Sequence, residues 1–234
     1  MTAAQSAPYD ARMRVVVFLA ALFVALVTSC AGTGGQPKAT LPDGTALLAD
    51  SAKAMRAVTT THFTLDVQGN TPGVQLRSAD GQLKRDGSAK GVAKVDEGRQ
   101  LLELQFVIIG QDLYLTPPTG RIQKLPLSFA GAVYDPSVIL NPDRGIAAAL
   151  ASGTGATTEA REQVDGVDSY RLRVTFPAQP LGAVVPELAP DKTSEIWVAA
   201  QGSRLVKAQF PTTYGTGTVH FSDFDAPVDI APPA

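Results

Sequence analysis

The sequence holds one cysteine, Cys30, in 234 residues. No disulfide can therefore form within the chain, and any folded part must be held by its apolar core. Histidine is almost as scarce, with only His62 and His220. Both fall on the polar side of strand-like segments, and no His, Cys and carboxylate cluster has the spacing of a zinc site. There is no Gly-x-Ser-x-Gly elbow. Gly153-Thr154-Gly155 lacks the Gly-Lys-Ser/Thr that would complete a phosphate loop. Asp96-Glu97 and the pair Asp223 and Asp225 read as solvated turns and not as calcium ligands. The residues thus point to no catalytic group, no metal and no cofactor, and the chain does not read as an enzyme. Lys and Arg number 20 against 22 Asp and Glu, a net charge of −2 without any basic cluster. That balance argues against nucleic acid as a partner.

What is present begins at the N-terminus. Arg12 and Arg14 precede an uncharged run, VVVFLAALFVALV at 15–27, and Thr28-Ser29-Cys30 follows it. A cationic start, a short apolar stretch and small residues before a cut site make an export signal. Such a run reaches about 20 Å as a helix, short of a bilayer core of about 30 Å. Val27-Thr28-Ser29-Cys30 resembles the bacterial lipobox, in which the cysteine is diacylated and becomes the new N-terminus. The expected organisation is a lipoprotein signal peptide at 1–29, acylated Cys30 with a flexible tether to residue 45, and one domain over 46–234 with a Pro-rich tail. Met13 offers an alternative start and leaves this reading unchanged. Arg12, Arg14 and Asp10 leave with the signal, so 18 basic residues face 21 acidic ones in the remaining 205. The expected location is the outer face of the plasma membrane, held there by acyl chains and not by charge.

Beyond the Gly- and Pro-rich tether, 46–58 places Leu47, Leu48, Met55 and Val58 on one face at helical spacing. The pattern then changes to period two. Phe63, Leu65 and Val67 alternate with polar residues in 62–68. Thr71-Pro72-Gly73 reads as a turn, and 74–79 and 81–85 read as two short strands joined around Asp80-Gly81. Strands follow at 89–95 and 100–109, the latter with Leu102, Leu104, Phe106 and Ile108 on one face, and at 113–115. Asp135-Pro136 fits a helix start. Ile139 and Leu140 lie in this first short helix, and Ile146 and Leu150 in a second at 145–151. Strands resume at 157–164 and at 169–176, where Leu172, Val174 and Phe176 share a side. Asp165-Gly166 is the turn between them. Residues 177–192 read as an irregular loop. Strands at 194–199, with Ile196 and Val198, at 205–210 and at 216–221 complete the chain. Trp197 falls on the opposite face by parity.

The layout is α+β: a strongly curved antiparallel sheet, a half-barrel, whose apolar concave face must be covered by few and short helices. Incomplete filling would leave an apolar cavity between sheet and helices. The sixteen apolar residues from Phe63 to Val198 named above at strand and central-helix positions are its candidate lining. A fully packed interior is the alternative, and it would suit a scaffold lipoprotein that binds an envelope protein through its surface. An anchored hydrolase with a non-standard site is a third class, without a constellation to support it.

The segment YDPSVILNPDRGIAAALA at 134–151 resembles the YDP-x-x-(I/V)-L-NPD-x-G-(I/L)-A-x-x-L-A segment of one lipoprotein family. That family is the mycobacterial and actinobacterial group typified by LppX, LprA, LprF and LprG. QFVIIGQDLY at 105–114, EIWV at 195–198 and AMRAV at 54–58 resemble further family segments. The 110–112 turn and residues 121–129 depart from its pattern. The resemblance implies a bent sheet like that of the Lol lipoprotein carriers, with helices over its concave side and a large cavity. It implies binding of a multiply acylated lipid, such as a phosphatidylinositol mannoside or a lipoglycan. It also implies transfer toward the outer envelope, with an efflux permease among the partners. On this reading Leu104→Trp and Val174→Trp are expected to lower lipid loading in a protein that still folds.

Overall fold

Asp43 starts the first regular element of the computed structural model. Its carboxylate accepts from the Ala46 N–H at 2.8 Å, and the helix α1, Gly44–Ala57, follows. A side-chain acceptor at this position satisfies one of the free N–H groups of the first turn. The polar cap explains why the helix begins two residues before its apolar pattern. Leu48, Ser51, Ala52 and Met55 form the buried stripe, the i, i+3, i+4, i+7 spacing of a helix with one apolar face. At its other end the Arg85 guanidinium donates to the carbonyls of Arg56 and Val58. The structure describes residues 40–69, 76–97, 100–130, 136–177, 193–212 and 215–233. The signal segment, Cys30, the tether through residue 39, the turn at 71–73 and the loop at 178–192 lie outside them. So does Asp135, the expected cap of the second helix.

Six strands follow α1: β1 Thr60–Gly69, β2 Leu76–Lys84, β3 Ala89–Glu97, β4 Gln100–Ile109, β5 Asp112–Thr116 and β6 Gln123–Pro126. Three short helices come next, α2 Leu127–Ala130, α3 Pro136–Ile139 and α4 Ile146–Ser152. Five more strands close the chain: β7 Thr154–Val164, β8 Val167–Thr175, β9 Thr193–Ala199, β10 Leu205–Thr212 and β11 Gly215–Ser222. They form one sheet in the order β6-β5-β4-β3-β2-β1-β11-β10-β9-β8-β7. Two meanders are thus joined at a β1–β11 seam. Every paired neighbour is antiparallel. The sheet is a curved, open half-barrel with β6 and β7 at its edges. Asp165 and Gly166 both have positive φ, 50° and 81°, as a two-residue hairpin turn requires.

Two expectations change. Asp80-Gly81 is not a turn but the middle of the continuous strand β2. Gly81 faces Gly91 of β3. A Cβ on Gly81 would lie 2.5 Å from the Lys90 carbonyl oxygen, and one on Gly91 only 2.1 Å from that of Asp80. The glycines mark a close approach of two backbones, which sequence pattern does not separate from a turn. Strand β6 and helix α2 have no counterpart in the sequence reading, since Pro126 and the polar Gln123 and Lys124 mask a four-residue edge strand.

The main core lies between one sheet face and the helices. It gathers Leu48, Met55 and Val58, then Ile139, Leu140, Ile146 and Leu150, then Leu172, Val174, Phe176, Ile196, Val198 and Phe221. Helix α1 rests on α4 and on β7 and β9, and α2 sits beside β5 and β6. A smaller cluster of Val164, Trp197, Ala199 and Val206 packs separately, which agrees with the opposite parity of Trp197. Its indole N–H donates to Glu162 at 2.5 Å, and the Lys207 ammonium lies 4.4 Å from the ring centre.

Candidate functional site

The registers place the inner-face residues in transverse rows, because directly opposite residues of antiparallel strands point the same way. One row runs Phe63, Gly81, Gly91, Phe106 and Leu115 from β1 to β5. The next runs Leu65, Ala79, Ala93 and Leu104 from β1 to β4. Val95 and Leu102 face each other beyond it. Across the seam Phe63 faces Phe221, and Leu65 faces Val219. On the far side Leu172 faces Ile196, and Tyr170 faces Val198. All the strand candidates except Phe176, which lies one residue past β8, therefore sit on one continuous face.

That face is covered unevenly. Ile139, Leu140, Ile146, Leu150, Leu172, Val174, Phe176, Ile196 and Val198 are buried in the helix-covered core. Phe63, Phe106 and Ile108 are half-buried at its margin. Leu65, Val67, Leu102 and Leu104 lie on the same face, half-buried and outside that cluster. The sequence reading missed Leu76, Ala93, Val95 and Leu115, which lie half-buried on this face, and Ala79, which is buried on it. Alternation in 89–95 carried the signal, but small residues give little apolar contrast.

The opposite face of β1–β3 is mostly polar, and β4 adds Leu101, Val107 and Ile109 to it. His62 sits with Nε2 3.0 Å from Asp80 Oδ1 and Nδ1 3.1 Å from Ser222 Oγ. His220 lies 2.5 Å from Asp165 of the β7–β8 turn. Two open hollows of about 370 and 460 Å³ lie here and share Asp80 and Val92. Among the described residues no group of three His, Cys, Asp or Glu side chains is arranged to hold a metal. Neither histidine is free of a partner. Asp225 is a structural link: it accepts from the Thr59 N–H at 2.8 Å and hydroxyl at 3.0 Å, and from Arg204. Burial works to raise its pKa, but the Thr59 hydrogen bonds and the Arg204 charge together hold it below the ordinary carboxylate value.

The segment between α3 and α4 is a tight reversal built on Asn141 and Gly145. Asn141 Oδ1 accepts from the N–H groups of Asp143 at 2.9 Å and Arg144 at 3.1 Å. A Cβ on Gly145 would fall 2.2 Å from the carbonyl oxygens of Val138 and Ile139. The chain can reverse this tightly only with a side-chain acceptor at 141 and glycine at 145. Arg56 of α1 reaches Asp143 at 3.1 Å and ties the first helix to the reversal.

The sequence profile of the LppX_LprAFG lipoprotein family matches residues 43–230, the whole of this fold from the α1 cap to the C-terminal tail. The chain belongs to that family. Among LppX_LprAFG proteins, it is 33% identical to the lipoarabinomannan carrier protein LprG of Mycolicibacterium smegmatis over 219 residues, which cover 90% of this chain and 91% of that one. It is 31% identical to the protein of the same name from Mycobacteroides abscessus, covering 95% and 98%. Two solved LppX_LprAFG structures share the fold. LprF from Mycobacterium bovis superposes with a TM-score of 0.71 at 24% identity, covering 82% of this chain and 97% of that one. LppX from Mycobacterium tuberculosis gives 0.61 at 20% identity, covering 80% and 98%. Among the described residues no helix is long and apolar enough to cross a membrane.

Proposed function

We propose that this protein is a cell-envelope lipid carrier, which shelters the acyl chains of a glycophospholipid or lipoglycan in an apolar cavity on the inner face of its sheet. The observation that carries the reading is the apolar face that continues over β1–β5 past the helix-covered core. Leu65, Val67, Leu102 and Leu104 are half-buried there. The name of its relative in Mycolicibacterium smegmatis, a lipoarabinomannan carrier, supports the same class of cargo. An acyl chain leaving a bilayer loses about 0.8 kcal/mol for each CH₂ exposed to water, so a carrier must offer a surface of comparable apolarity. Cys30, acylated after removal of 1–29, anchors the protein to the outer face of the plasma membrane. Residues 31–45 act as its tether, and the cargo moves toward the outer envelope, with an efflux permease as the partner that delivers it.

The test is native mass spectrometry of the purified protein carrying Cys30→Ser after incubation with total envelope lipid of an actinobacterium. Discrete adducts at lipid masses that vanish on organic extraction are the expected result. Bare protein, where a known carrier loads, would replace the carrier reading with that of a scaffold lipoprotein.

A further inference from the structure

We infer that the end of the sheet where α1 and β7 begin is a docking rim that lies on the surface of a lipid bilayer. The inference rests on the carrier reading and its Cys30 anchor, and gives them an orientation. Among the described residues four large apolar side chains are exposed: Leu41, Leu101, Ile122 and Val167. Single exposed apolar residues are ordinary, but three of these share one end of the fold. Gly44, three residues after Leu41, starts α1 against Ala156 of β7. Leu101 is the second residue of β4, which runs past the end of β5, since Gln105 already faces Thr116. It is 57% exposed. Ile122 ends the β5–β6 turn, PPTGRI at 117–122. There Gly120 has a φ of 82°, and its N–H donates to the Pro117 carbonyl at 2.8 Å.

That turn holds no carboxylate, and its one charge is the exposed Arg121. A guanidinium beside an inserted Ile122 reaches back to lipid phosphate while its stem stays in apolar surroundings. The opposite end has the reverse character. Its turns carry Asp86, Asp165, Asp223 and Asp225, and Val167 stands between Asp165 and Asp168. Carboxylates so placed oppose contact with hydrocarbon. The inner face follows the same gradient along the strands. Leu83 and Leu113, toward the acidic end, are buried, whereas Val67, Leu76 and Leu102, toward the rim, are half-buried. The length of the tether agrees. Leu41 follows Cys30 by eleven residues, a reach of at most about 40 Å. With the acidic end on the bilayer, that segment would first have to run the length of the sheet, about 30 Å along β1, close to its full extension. With the rim on the bilayer it needs no such extension.

The experiment uses the mature acylated chain on vesicles of phosphatidylcholine and phosphatidylinositol that carry nitroxides in their acyl chains. Acylation blocks Cys30, the one cysteine. Leu101→Cys, Ile122→Cys, Val167→Cys and Gln201→Cys therefore each supply a single thiol for an environment-sensitive fluorophore. Gln201 is exposed in the β9–β10 turn at the acidic end. Nitroxide quenching at 101 and 122 is expected to exceed that at 167 and 201 at least about fivefold, with blue-shifted emission at the rim alone. Attachment to vesicles with equal quenching at the two ends would overturn the inference and leave the carrier reading intact. Unquenched probes at both rim sites, as a rim seated on a protein would give, would overturn it too. If the acylated chain floats with vesicles no better than Cys30→Ser, the anchor falls and the inference with it. Where a labelled Leu101 or Ile122 variant has lost its melting transition, Thr119→Cys and Arg121→Cys in the same turn decide.

Discussion

The two meanders of the sheet use the same inner face in opposite ways. In β8 and β9 that face is closed: Leu172, Val174, Ile196 and Val198 are at most 1% exposed, under α1 and α4. In β1–β6 residues of the same types, Leu65, Val67, Leu102 and Leu104, stay half-exposed. One half is packed tightly under the helices, and the other leaves its apolar residues only partly covered.

The comparison can be broken by mutation, and the largest effect is expected in the closed half. Leu172→Ala should cost about 2–5 kcal/mol, the range for truncation in a rigid core, whereas Leu104→Ala should cost about 1 kcal/mol or less. Urea denaturation of both variants checks this, and equal costs would erase the distinction. Tryptophan sharpens it further. Leu104→Trp should fold and lose lipid loading, measured by displacement of an apolar fluorescent dye. Val174→Trp, by contrast with the expectation from sequence, should not fold. Val174 is fully buried, and its side chain lies 2.8 Å from where a Cβ on Gly153 would be. Next in size is Gly91→Ala, whose Cβ would meet the Asp80 carbonyl at 2.1 Å. Strain of about 1–3 kcal/mol is expected in its denaturation midpoint, although the substitution lies in the open half.

The smallest effect concerns pH. The Asp225 carboxyl has a folded pKa held below its unfolded value of about 3.9. Its contribution is therefore present above that value and is lost as pH falls through the folded pKa. Asp225→Asn should flatten the stability profile on the acid side and leave its slope near neutrality unchanged. Thermal melting from neutral pH down to about pH 2 would show it. An unaltered acid limb would mean that Thr59 and Arg204 gain nothing from the charge.

Strand parity was legible wherever large apolar residues alternated with polar ones, as in β4 and β8, because the pleat enforces that period. The reading failed at Gly81, where a glycine stands for proximity to another strand distant from it in sequence. It also failed at β6, whose pairing with β5 is tertiary. Strand parity alone put the strand candidates on one face, but it carried no sign of how that face is divided. Val174 and Leu104 look alike in sequence, and only the position of α1 and α4 tells them apart. That position depends on tertiary packing of Leu48 and Met55 with Ile146 and Leu150 in the shared core, which no local pattern encodes.

The seam between β1 and β11 has a consequence for the order of assembly. Each meander pairs strands adjacent in sequence, so each half can form before the two meet. The halves meet only when the last strand arrives, since β1 waits for residues 215–222. Until then β1–β6 presents an unpaired central edge as well as its open apolar face. A nascent chain in that state is the form most exposed to aggregation. The sheet is completed from its middle, and the last strand made is the one that joins its two halves.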